Sequence, residues 1–154
     1  MTLKSYSRLE LAENQLEAAI GLFVSGLDRF SVISLAGAAD VILARLVINS
    51  GQNNFTDFSL QQRQTQFSAP DETRESHGKT INSALFINQL KHMDDDEDGF
   101  IEFEPEECAL AAILKALANY LLIAGHRKEI VLAFRAWVKL NLDPEKYNVN
   151  CGPS

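Results

Sequence analysis

The sequence predicts an all-α fold, an antiparallel bundle of about five long helices. Apolar residues recur at the three- and four-residue spacing of a helix face in several long segments. Strict alternation of apolar and polar residues, which predicts strands, is almost absent, and hairpin-turn signals are missing. With 154 residues, 46% of them hydrophobic, and only 4 Pro and 8 Gly, the chain can bury a core. We expect one helical domain over residues 1–154, with an ordered core at about 8–141 and a tail at 142–154.

The first predicted helix covers residues 8–24. Ser7 suits the N-cap position, and Glu10 lies three residues later, as in a capping box that satisfies free amide groups. Ser25 and Gly26 supply the stop signal. The apolar residues between these signals predict a helix with one face in the core.

The second predicted helix, residues 29–50, is apolar on nearly every side, which is typical of a helix in the middle of a bundle. Gly37 in mid-helix costs roughly 1 kcal/mol relative to Ala, so we expect small residues here to let another helix backbone approach closely. Asp40 is an acid among apolar neighbours. It either pairs with a basic or amide group on another helix or faces solvent at an edge, because an unpaired buried carboxylate is costly.

The middle of the chain is more polar. Residues 52–67 are ambiguous, and a short helix could form within 58–66. Residues 68–79 contain Pro70, Gly78 and many charges, which predicts a surface loop.

Three further helices are predicted at residues 80–93, 105–124 and 126–140. Pro105 suits the first helical turn, and Gly125 suits the position after the last turn. These segments complete the predicted bundle.

The charge of the chain is unevenly distributed. The net charge is −7, and residues 94–107 contain nine acids and no base, so the other 12 acids nearly balance the 14 bases. A concentration of carboxylates repels phosphate backbones and disfavours nucleic-acid binding near it. The simplest interpretation is a solvated loop that aids solubility.

A calcium site is a second interpretation of this segment, which looks like the start of an EF-hand loop. Carboxylates at alternating positions followed by a turn-forming Gly99 can converge on a hard cation. The candidate ligands are Asp94, Asp96, Asp98 and Glu102, with the Phe100 carbonyl between them. Pro105 occupies the twelfth loop position, where an EF-hand carries a bidentate Glu. We therefore expect no cofactor, with calcium as the one alternative, because its ligand set is incomplete.

The segment from Ile87 to His92 resembles a degenerate form of the motif of the HEPN family of small helical proteins. In that family an Arg is commonly followed by Asn or another polar residue, and then by His one turn later. Here Ile87 stands at the Arg position, and Asn88 and His92 stand at the polar and His positions. The small-residue segment 34–40 is similar to an Ala-Ala-acid run that HEPN proteins often carry, and the layout of helices is compatible.

The resemblance implies a homodimer, and it makes Asn88 and His92 the catalytic candidates. Active HEPN proteins are metal-independent ribonucleases in which Arg and His from both subunits line a shared cleft. Ile87 cannot supply the positive charge that would stabilise a phosphate, and Lys91 faces a different side of the predicted helix. We therefore expect a noncatalytic binding or regulatory module. The alternatives are a ribonuclease that uses Asn88 and His92, and a calcium-binding protein.

The remaining signals concern compartment and partners. Cys108 and Cys151 lack disulfide or zinc spacing, and we expect Cys108 to be a buried free thiol. The N-terminus lacks the apolar core of a signal peptide, and Asp40 and Arg45 interrupt the longest apolar run, residues 32–48. We expect a cytoplasmic protein without a membrane span, with a second copy or another protein as its partner.

Overall fold

The computed structural model describes residues 1–67, 73–85, 87–125 and 128–143, and in these ranges it contains helices and turns but no strand. The helices are α1 (Arg8–Val24), α2 (Arg29–Asn49), α3 (Phe55–Phe67), α4 (Arg74–Ala84), α5 (Pro105–Ala124) and α6 (Glu129–Asn141). The all-α prediction is confirmed. The described part of the chain holds six helices rather than about five.

Local capping signals set the starts of the first two helices. The hydroxyl of Ser7 accepts a hydrogen bond from the Glu10 amide at 3.0 Å. The Asp28 carboxylate accepts the Phe30 and Ser31 amides at 3.2 and 3.1 Å, and the Ser31 hydroxyl also donates to it. This hydroxyl, with a smaller contribution from the two amides, lowers the pKa of Asp28. Free amides at both helix starts therefore find acceptors within three residues.

Helix α2 lies between α1 and α5, and α2 and α5 run in the same direction. Arg29, in the first turn of α2, binds Glu106 in the first turn of α5, with 2.6 Å between Nε and Oε2. Beyond the other end of α2, Nε2 of the Gln52 side chain donates to the Leu122 carbonyl at 3.3 Å. The prediction of an antiparallel bundle is wrong for this pair, because residues 50–104 return the chain to the starting end of α2.

Helix α1 is antiparallel to both partners. Tyr120, near the end of α5, donates to Glu13, near the start of α1, at 3.1 Å. The guanidinium of Arg29 lies 4.4 Å above the ring of Phe23, near the end of α1. Trp137 of α6 covers the same ring edge-on, with 5.2 Å between the centroids. These contacts join α1, α2, α5 and α6 around one core.

The largest side chains of this core are almost fully buried. They are Leu16, Phe23, Val32, Ile33, Leu43, Val47, Ile113, Tyr120, Val131 and Phe134. Helix α2 nevertheless keeps one open side, where Phe30 is 52% and Val41 59% exposed. Its apolar composition predicts burial on nearly all sides, and this expectation is wrong for the open side.

Helices α2 and α5 are long and apolar enough to cross a membrane by length and composition. About half of their most apolar windows, 44% and 50%, is buried inside the protein. Core helices of soluble proteins pass the same test, so this composition is weak evidence for a membrane span.

The structure corrects the prediction for the middle of the chain. Helix α4 begins at Arg74, so the predicted loop at 68–79 is wrong from there onward; residues 68–72 lie outside the described residues. Thr73 caps this helix by accepting the Ser76 amide at 3.1 Å, and His77 is buried with its Nε2 3.0 Å from the Ser59 hydroxyl of α3. Contact with α3 thus stabilises a helix that its own polar sequence does not predict.

The predicted helix at 80–93 is also wrong in its second half. Helix α4 ends at Ala84, and residues 87–91 form turns. Leu85 is already in a turn, and Ile87 packs against α2. At the other end, α5 has the predicted bounds and α6 starts at Glu129, whereas residues 126, 127 and 144–154 lie outside the described residues.

Candidate functional site

Ile87, the residue at the motif's Arg position, is part of the core. Its side chain is 3% exposed and lies against Gly37 of α2. A Cβ atom placed on Gly37 would be 2.7 Å from Cγ2 of Ile87, closer than two carbon atoms that are not bonded to each other can approach. Gly37 therefore has a packing role, but the neighbour it admits is a side chain rather than the predicted helix backbone.

Asn88 and His92 lie in the turn that follows Ile87. The Asn88 carbonyl accepts the Lys91 and His92 amides at 3.0 and 3.1 Å, which closes one helical turn. The Asn88 side chain is half-buried, and the His92 side chain is exposed. Both residues border one open groove together with Gln89, Asp94 and Glu97. The structure thus brings the two catalytic candidates to the same surface.

The electrostatics of this groove are unfavourable for a phosphate. Asp94 and Glu97 border it beside His92. Lys91 is exposed next to His92 and is the nearest cation in sequence. A phosphodiester in this groove would meet carboxylates where a ribonuclease needs positive charge.

In the acidic loop, defined as residues 94–104, side-chain carboxylates accept hydrogen bonds from the loop's own backbone amides and so stabilise its conformation. The Asp94 amide donates to Oε2 of Glu97 at 2.9 Å, and the Glu97 amide returns a bond to the Asp94 carbonyl at 3.1 Å. Oδ1 of Asp98 accepts the Phe100 amide at 2.9 Å, and Gly99 between them has a φ of 86°. Gly99 thus makes the left-handed turn that its place in the loop predicts.

The predicted calcium ligands are not gathered into a site. Within the described ranges, no group of three or more His, Cys, Asp or Glu side chains could hold a metal ion. Asp94, Asp96, Asp98 and Glu102 are all exposed. Glu104 accepts the Glu106 and Glu107 amides at 3.3 and 2.6 Å. Glu104 therefore serves as the N-cap of α5, next to Pro105.

A buried polar cluster, which we call the Asp40 cluster, joins α2, α5 and the start of α3. Asp40 is 4% exposed and forms an ion pair with Lys115. Nδ2 of Asn119 donates to Oδ1 of Asp40 at 2.7 Å, and Oδ1 of Asn119 accepts the Phe55 amide at 2.8 Å. The hypothesis that Asp40 pairs with another helix is confirmed, and the solvent-edge alternative is wrong.

The partners of Asp40 were not identifiable as such in the sequence. Lys115 and Asn119 lie four residues apart on α5, where they interrupt a run of Leu, Ile and Ala. Polar residues at this spacing share one side of a helix, and this spacing is the signal in the sequence that could have identified them as partners of Asp40.

Cys108, expected to be buried, is half-buried on α5, where burial and the nearby Glu104 and Glu107 raise the pKa of its thiol.

The open side of α2 carries a groove of about 470 Å³, which we call the α2 groove. Its apolar lining includes Val41, Ile42 and Ile48, and Arg8 and Arg45 supply positive charge. The chain thus presents an acidic groove at His92 and an apolar, basic groove on α2.

No protein-family model matches this chain, and no curated protein or solved structure is significantly similar to it.

Proposed function

We propose that the protein is a noncatalytic binding or regulatory module of HEPN-like character that works in the cytoplasm as a homodimer. The observation that carries this proposal is the buried contact between Ile87 and Gly37. In an active HEPN protein the residue at this position is an Arg that faces the reaction. Here the position is filled by a packed apolar side chain.

The surroundings of His92 support the same proposal. A His can transfer protons, but cleavage of RNA also needs positive charge to stabilise the phosphate in the transition state. Asp94 and Glu97 border the groove instead. Carboxylates at that place raise the energy of an approaching phosphodiester.

The α2 groove is the surface that we assign to binding. Val41 is 59% exposed there, although valine is an apolar residue that is usually buried in a folded protein. An apolar floor beside Arg8 and Arg45 fits a protein segment that combines an apolar anchor with acidic neighbours.

A cleavage assay tests the absence of catalysis. Labelled single-stranded RNA of mixed sequence is incubated with EDTA and with the wild-type protein, His92→Ala or Asn88→Ala. We expect the three proteins to leave the RNA equally intact. Cleavage by the wild type that disappears in His92→Ala would instead establish the ribonuclease alternative.

Calcium binding is a second candidate function, favoured by the left-handed Gly99 directly after Asp98. Oδ1 of Asp98 accepts the Phe100 amide, and a carboxylate that accepts one amide still has lone pairs for a cation. A rise in melting temperature with calcium but not magnesium, lost in Asp96→Ala, would support this candidate. Our main proposal predicts no such rise.

A further inference from the structure

We propose that the α2 groove receives the acidic loop of a second copy of this chain, with Phe100 as the apolar anchor. Each copy would insert its loop into the groove of the other, so that the contact is made twice. This inference rests on the proposed function, because it takes the α2 groove as the binding surface and names its occupant.

The acidic loop has the features that this groove requires. Phe100 is 82% exposed and Ile101 is 38% exposed, between acids on both sides. An aromatic side chain buries about 150–250 Å² when it enters a pocket, so Phe100 can supply a central anchor.

Charge complementarity favours this occupant over an arbitrary apolar segment. Arg8 and Arg45 are exposed at the groove, whereas Asp95, Asp96 and Glu102 are exposed around Phe100. The two surfaces have opposite charge, and they occur on the same chain. Opposite potentials steer association and fix the register of two partners.

The positions of loop and groove along α2 allow a closed pair. The loop lies at the starting end of α2, because the rings of Phe103 and Phe30 are 5.9 Å apart. Val41 and Ile48 follow Phe30 by 11 and 18 residues, close to three and five turns, so all three share one side of the helix. At 1.5 Å per residue, the groove therefore extends from about 17 to about 27 Å along the helix from Phe30, beside which the loop lies.

A second copy turned end over end relative to the first brings each loop to the other groove. A two-fold axis repeats the same contact twice and leaves neither surface open. Such a pair is limited to two copies. A one-way contact would instead extend into a chain of molecules.

Sedimentation equilibrium of paired charge reversals tests the inference. The first variant, Arg8→Glu/Arg45→Glu, makes the groove acidic, and the second, Asp95→Lys/Glu102→Lys, makes the loop basic. We expect a wild-type dimer that weakens with salt and a dissociation constant raised at least about tenfold in either variant. An equimolar mixture of the two variants restores both contacts and should form a heterodimer.

Two further variants sharpen the result. Phe100→Ala should weaken the dimer, whereas Lys139→Glu, a reversal at an exposed position of α6, should leave it unchanged. Recovery in the mixture shows that the variants are folded. The inference is overturned by a monomeric wild type, by a dimer indifferent to both reversals, or by a mixture that stays monomeric. A monomeric wild type would also contradict the homodimer of the proposed function, whereas the other two outcomes would leave the proposed function standing. His92-dependent RNA cleavage would overturn the noncatalytic role without bearing on the dimer contact.

Discussion

Asp40 shows at the residue scale how one polar side chain is accommodated in an apolar core. Removing a carboxylate and an ammonium group from water costs several kcal/mol for each ion unless other groups complete their bonding. Lys115 and Asn119 complete it here, and Asn119 also satisfies the backbone of Phe55. The pairing fixes α5 against α2 at one particular turn.

Asp40→Ala should lower the free energy of unfolding by roughly 3–5 kcal/mol, because the ammonium of Lys115 stays buried without its counterion. Urea denaturation measures the change. The double variant Asp40→Leu/Lys115→Met removes both charges and should lose less than the single variant. An Asp40→Ala protein within about 1 kcal/mol of the wild type would show that the pair is not buried.

Tyr120 should make stability depend on alkaline pH. Burial, reinforced by Glu13, raises the pKa of Tyr120 to about 12 from its ordinary value of 10. The folded protein then holds the phenol proton more tightly than the unfolded chain, so the free energy of unfolding falls as the pH rises from about 10 to about 12. Chemical denaturation across this range should show a smaller fall in Tyr120→Phe than in the wild type. The matched control is Tyr6→Phe at an exposed position, which should retain the wild-type fall.

Helix α3 depends on contacts at its first residues. Oδ1 of Asn54 accepts the Asp57 amide at 3.0 Å, and Oδ2 of Asp57 accepts the Asn54 amide at 3.2 Å. Asn119 of α5 accepts the next amide, that of Phe55. Since the rest of α3 is largely polar, this junction fixes its start against the core.

Asn119→Ala should loosen α3 more than the rest of the bundle, because the half-buried Phe55 loses the side-chain acceptor of its amide. Hydrogen exchange followed by mass spectrometry should show faster exchange in α3 and little change in α1. Asn14→Ala is the control, because it removes only the hydrogen bond that the Asn14 side chain donates to the Glu10 carbonyl on the exposed side of α1. Uniformly faster exchange in all helices would contradict a local role for Asn119.

The elements differ in how far sequence predicts them. Helices α1 and α5 were predictable because Ser7, Glu10 and Pro105 signal their starts locally. Helix α4 was not, because its stability comes from the contact of His77 with α3 rather than from its own pattern.

The candidate site divides in the same way. Asn88 and His92 come together because they are one helical turn apart, which sequence alone shows. The meeting of Asp40 with Lys115 depends on the parallel course of α2 and α5. No local signal encodes that course, since it is set by the long segment between the two helices.

At the scale of the whole molecule, α2 is the central element but has two different sides. Its inner side meets α1 and α5, and Gly37, at the border between the two sides, receives Ile87 from the turn before the acidic loop. The open side carries Val41 and the α2 groove. The same helix therefore organises the core and presents the surface that we assign to binding.

The Ile87 contact is also the observation on which the proposal of a binding module rests. An Arg at this position would have to place its guanidinium against Gly37 and the apolar core. Burial of an unpaired charge is among the most costly changes that a core can accept. Ile87 therefore has a packing role at this position.

Urea denaturation of Ile87→Arg, with Ile87→Leu as the volume-matched control, tests the buried packing role of Ile87 most directly. We predict that the free energy of unfolding falls by roughly 3 kcal/mol or more in Ile87→Arg, whereas the Leu variant loses less than about 1.5 kcal/mol. An Ile87→Arg protein as stable as the wild type would contradict the assignment, because the side chain would then face solvent and be free to bind a phosphate.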